Sequence, residues 1–195
     1  MNYILPFIVG FVFGIIPFSY ILGKIKGIDL RNVGSGNVGA TNLGRHAGLP
    51  FFIIGFILDG LKGLIPVLLI RNFGYLTALA GAGAILGHIF NPLFRFRGGK
   101  GVSTMIGVAI GIVPKSFLIS LAVWLVIYLS TFIVALASIG FAVALPILSF
   151  AMKEATLTDR IFMIIMAGFI LYAHRSNIRR ILKKEEPKLV LWRKK

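Results

Sequence analysis

SFLISLAVWLVIYLSTFIVALASIGFAVALPILSFAM, residues 116–152, runs for 37 positions without one charged side chain. A single helix of that length, rising 1.5 Å per residue, would be nearly twice as long as the ~30 Å hydrocarbon core of a bilayer is thick. The stretch therefore reads as two membrane-spanning helices in succession, divided near Ser130 and Thr131. No soluble domain of 195 residues buries so much apolar chain in one core: 57% of the sequence is hydrophobic and 14% charged, so lipid must be most of its solvent.

Working outward with the same length rule adds spans at 3–23, 50–70, 73–90, 102–113 and 160–173 to those at 116–130 and 132–152. The spans at 102–113 and 160–173 are short. The expectation is an all-α, seven-helix membrane protein forming one domain over residues 1–195. Parity supports seven. Nine Lys or Arg follow His174 and four lie between Lys24 and Arg45, and the positive-inside rule puts both groups in the cytoplasm, which only an odd count allows. The N-terminus is then outside and the C-terminus inside. Residues 1–18 contain no Lys or Arg, so they lack the basic leader of a cleaved signal and read as a permanent first helix. The net charge of +15 is read as topology and contact with membrane lipid before nucleic acid, which is not expected as a partner. Small residues at Gly10 and Gly14, Gly83 and Gly87, and Gly107 and Gly111 have the spacing of close helix packing. The absence of cysteine excludes a thiolate nucleophile and a zinc-thiolate centre, and no metal or cofactor is expected.

Three polar segments remain, all on the cytoplasmic side of this topology. GSGNVGATNLGR, Gly34 to Arg45, offers Gly34, Gly36, Ser35, Asn37, Thr41 and Asn42 as a donor-rich loop before Arg45, whose guanidinium can fork onto a phosphate. The plainer reading is a tight interfacial turn. RFRGGKGVST, Arg95 to Thr104, puts Gly98, Gly99, Lys100 and Gly101 directly before a helix N-terminus, a natural anion site. It lacks the spacing of a nucleotide-hydrolysing P-loop, because Phe94 and Gly101 stand where that motif needs Gly and Ser or Thr. AHRSNIRRILKK, Ala173 to Lys184, places His174 and Asn177 on one face if the last span continues as a helix, with Arg175 beside them. A basic helix end against anionic headgroups is its alternative reading. Within the second span, Asp59 and Lys62 have the spacing of a pair on one helical face, and His88 is either a satisfied helix-end imidazole or a base.

Together, GSGNVGATNLGR, HIFNPLFRFRGGKGVST, HRSNIRRIL and DGLKG resemble, in order and over nearly the whole chain, the acyl-phosphate:glycerol-3-phosphate acyltransferase family of bacterial membranes, the PlsY family. The resemblance implies an inner-membrane enzyme with its site facing the cytoplasm. It would join an acyl group from acyl-phosphate to the 1-hydroxyl of sn-glycerol 3-phosphate, giving lysophosphatidate and phosphate for phospholipid synthesis. Carried over by motif, the catalytic positions are Ser35, Arg45, Lys100, His174 and Asn177. Two departures stand out. The proline after His-x-Phe comes one place late, as Pro92 after Asn91. The Gly-Thr-Glu expected after the third motif is replaced by Lys183, Lys184, Glu185 and Glu186, which makes Glu185 the nearest candidate for the family's glutamate. The competing function class is an anion channel or exporter, whose donors would be spread over both membrane faces.

Overall fold

Pro17 divides the first apolar run. Proline has no amide proton and its ring crowds the carbonyl one turn earlier, so the chain leaves helix α1 (Ile4–Gly14) and re-enters as α2 (Phe18–Ile25) after a three-residue break. In lipid such a break strands carbonyl groups that water cannot reach, and other segments supply the donors. Asn91 Nδ2 donates to the Ile15 carbonyl at 2.8 Å and Lys62 Nζ to that of Ile16 at 2.7 Å. Lys62 also pairs with Asp59 at 3.1 Å, and Ser19 Oγ on α2 donates to Asp59 Oδ2 at 2.6 Å. Both charged side chains are at most 2% exposed, so the pairing expected from DGLKG is present, and it fastens the break.

The computed structural model describes residues 3–74 and 76–190, and every regular element among them is helical. After α2 come α3 (Ala40–Ala47), α4 (Leu49–Asn72) and α5 (Thr77–Ile89), a single 3-10 turn at Pro92–Phe94, and α6 (Val102–Ile112). Then follow α7 (Pro114–Thr131), α8 (Val134–Ala151), α9 (Leu157–Ala173) and α10 (Arg175–Leu182). Helices stand at all seven expected positions, but five segments have the length and apolarity of a span: Ile4–Ile25, Leu49–Asn72, Thr77–Phe94, Pro114–Thr131 and Val134–Ala151. A sixth is counted if α9 and α10, bent by 62°, form one broken span. The expected fourth span is α6, whose 11 residues reach about 16 Å, half of the hydrocarbon core.

The chain packs as two compact units, one up to Val108 and one over Ala109–Val190. In the first unit the small residues do what their spacing suggests. A Cβ at Gly10 or Gly14 of α1 would collide with the Ala80 or Ala84 carbonyl of α5, and one at Gly83 with Phe7 of α1. Backbone-to-backbone approach of this kind, driven by dispersion, is what replaces hydrophobic expulsion inside a membrane. Gly63 and Gly107 bring α4 and α6 together in the same way, against Thr104 and Gly60.

In the second unit, the expected division of the 116–152 run is made by Phe132, whose left-handed φ of 58° ends α7. Glu154 caps the start of α7 by accepting from the Lys115 and Ser116 amides at 2.8 and 2.7 Å and from Ser116 Oγ at 2.6 Å. After α10 the chain returns to the α7–α8 turn. There the Leu189 N–H donates to the Phe132 carbonyl at 2.8 Å, and the Tyr128 hydroxyl to the Leu189 carbonyl at 2.8 Å. Arg193, Lys194 and Lys195, the last cations of the basic tail, lie outside the described residues.

Candidate functional site

The first glycine-rich segment is half loop and half helix, since α3 begins at Ala40 and carries Thr41, Asn42 and Arg45. Asn42 organises the loop from behind. It is buried, and its Nδ2 group is shared among the carbonyls of Leu30, Val33 and Asn37 at 3.0, 3.0 and 2.9 Å, while its Oδ1 accepts from the Ser35 amide at 3.2 Å. These bonds occupy the amide, so Asn42 serves the loop's shape. Gly34, at φ 56°, lies so close that a Cβ there would strike Asn42 Oδ1. Ser35 and Gly36 are exposed, and Arg45 is half-buried in the last turn of α3. Beside this loop, Asp29 accepts from Arg31 Nη2 at 2.6 Å and Lys24 Nζ at 3.0 Å. The Arg31 bond first, and then the Lys24 bond, hold its carboxyl well below the usual range.

Asn37 joins the first segment to the second. Its Oδ1 accepts from the Gly39 amide at 3.1 Å, and its Nδ2 donates to the Gly98 carbonyl at 3.2 Å. In the basic loop itself, the Gly98 and Gly99 amides donate to the carbonyls of Ile89 and His88 at 3.0 and 3.1 Å. Those two N–H groups therefore close the end of α5. The glycines are required sterically, since a Cβ on Gly98 would strike the His88 carbonyl and one on Gly99 the buried His88 ring. Of the loop's expected anion-binding groups, that leaves the Lys100 side chain and Gly101, after which α6 begins at Val102.

The third segment belongs to the second unit, and it does not continue the last span as one straight helix. The axis bends by 62° at His174, whose Nδ1 lies 2.8 Å from the Ile170 carbonyl. A carbonyl only accepts, so Nδ1 carries the proton and the ring's basic nitrogen is Nε2. His174 and Asn177 are each 2% exposed, whereas Arg175 is exposed and lies over the Tyr172 ring. Asn177 Nδ2 donates to Glu186 Oε1 at 2.7 Å, leaving a buried Oδ1 without a hydrogen-bond partner. Arg180 Nε donates to Glu186 Oε2 at 2.7 Å. The carboxylate of this segment is thus the buried Glu186, while Glu185, the nearer candidate by sequence, is exposed. Burial separates the two, and only the way the chain turns back after Leu182 reveals it.

A family model described as "Glycerol-3-phosphate acyltransferase" matches residues 4–184. A protein of that name from Aquifex aeolicus (strain VF5) is 41% identical over 184 residues, covering 92% of this chain and 95% of the relative. One from Thermosipho melanesiensis is 39% identical over 190 residues, covering 96% and 93%. Among solved structures, PlsY (YgiH), described as an integral membrane glycerol 3-phosphate acyltransferase, superposes in its glycerol 3-phosphate form with a TM-score of 0.91. It is 37% identical, over 97% of this chain and 96% of that one. Its lysophosphatidic acid form gives 0.89 at 35% identity, over 98% and 97%.

Proposed function

The chain belongs to the glycerol-3-phosphate acyltransferase family, and on that premise we propose that it draws its acyl group from acyl-phosphate and places it on the 1-hydroxyl of glycerol 3-phosphate. An acyl-phosphate is a mixed anhydride with a good leaving group, so the protein has mainly to position and neutralise two phosphorylated molecules. The hydroxyl oxygen bonds to the acyl carbon, the bond from that carbon to the oxygen bridging to phosphorus breaks, and the hydroxyl proton goes to the departing phosphate, which leaves as hydrogen phosphate. Arg45 and Lys100 bind the phosphates, and Ser35 orients an oxygen without forming an acyl-enzyme. His174 Nε2 is the alternative proton acceptor.

The observation that carries this reading is the Asn37–Gly98 hydrogen bond, which fastens the segment bearing Arg45 to the loop bearing Lys100. The carboxylates add support. Of the six acidic residues, Asp29, Asp59, Glu154, Asp159 and Glu186 are committed to ion pairs or caps and Glu185 is exposed. A route that uses the substrate's own phosphate as base needs none of them. The proposed setting is the bacterial inner membrane, with the site open to the cytoplasm.

Purified protein given acyl-phosphate and labelled glycerol 3-phosphate should form lysophosphatidate, measured by chromatography, and should form none from acyl-CoA. Product from acyl-CoA alone would sink the donor assignment.

A further inference from the structure

Side chains from two other segments donate to the break in the first span, and one of them begins the basic loop. Asn91 is 2% exposed and stands just before Pro92. Its Nδ2 donates to the Ile15 carbonyl at 2.8 Å, and its Oδ1 accepts from the Leu93 amide at 3.0 Å. Its own carbonyl accepts from the amides of Phe94 and Phe96 at 3.1 and 2.9 Å. The side chain thus shapes the loop with one end and anchors it with the other. Two more fastenings follow along the same loop. The Phe94 ring meets Tyr20 of α2 edge-on at 4.9 Å, and the Gly98 carbonyl takes the Asn37 bond. Lys100 comes two residues after the last of these.

The Asn91 anchor is the hardest to replace. Without it the Ile15 carbonyl is left at membrane depth with no water to satisfy it. Lys62 is already committed to Ile16 and Asp59. We infer that Asn91 is a positioning residue for the transfer reaction: by tying the basic loop to the broken first span, it sets where Lys100 meets a substrate phosphate. This rests on the reading of Lys100 as a phosphate ligand. A displacement of about 1 Å at such a group is costly to an enzyme.

Two variants test it. Asn91→Ala removes donor and acceptor, while Asn91→Asp keeps the acceptor and offers a donor only when its carboxyl is protonated. At alkaline pH both should raise KM for one of the two phosphorylated substrates by about fivefold or more, measured well below the lowered melting temperature that each variant shows in detergent. On acidification, Asn91→Asp should recover relative to wild type at the same pH, and Asn91→Ala should not. At alkaline pH, wild-type KM values for both substrates in either variant would overturn the inference. So would activity that falls only in step with melting temperature and shows no pH-dependent difference between the two. Failure of the wild-type protein to use acyl-phosphate sinks the donor assignment separately. Calorimetric titration of the same variants with glycerol 3-phosphate and with inorganic phosphate then decides, and unchanged affinity for both overturns the role of Asn91.

Discussion

At the level of single residues, the proposed reading gives Arg45 a phosphate to bind and leaves His174 as the alternative proton acceptor. Arg45→Ala should raise KM for glycerol 3-phosphate by about tenfold or more, because a charge-assisted, two-pronged phosphate contact is lost, while KM for the acyl donor stays near wild type. Steady-state kinetics with each substrate varied in turn reads this directly, and unchanged constants would remove Arg45 from the phosphate site. His174→Gln should retain substantial turnover if the leaving phosphate takes the proton. A loss of many thousandfold, with both substrates still bound, would move the proton to Nε2 instead. Motif residues such as Arg45, Lys100, His174 and Asn177 stand out in the sequence as candidates because charged and amide groups bordering apolar runs are conspicuous. Glu186 was not, since neighbouring glutamates differ only in which one the returning chain covers. The roles of Gly98 and Gly99 were also hidden, because a glycine amide offered to a ligand and one spent on a helix end look alike until the backbone path is known.

Among the elements, the broken first span depends on partners far along the chain. Lys62→Met or Asp59→Asn alone should destabilise the protein by roughly 3–5 kcal/mol, since each leaves the opposite charge buried and unpaired. The double variant should melt closer to wild type than either single one, and a thermal scan of the purified protein in detergent compares the three. Additive losses would mean that the two charges do not act as a pair. Pro17 was the sequence signal for this break, but a proline inside an apolar run is also compatible with a kinked, continuous helix. The split at Phe132 was easier to anticipate, because length alone demands it. Helix α3 escaped notice, since glycines at both ends of its sequence lower helix propensity and its stability comes from packing and from Asn42 rather than from local preference.

At the scale of the whole molecule, the distribution of cations is the basis of the proposed orientation. The chain has no cysteine, so single cysteines report without background. Arg97→Cys and Lys183→Cys should react with a membrane-impermeant maleimide only after the inner membrane is opened, and Lys153→Cys should react in intact spheroplasts. The reverse pattern would invert the topology and with it the cytoplasmic supply of both substrates. The segment after α10 has a practical consequence of its own. Leu189 is stitched by two hydrogen bonds to the corner between α7 and α8, so an affinity handle or fluorescent reporter fused downstream has its reach measured from that corner, not from the end of α10.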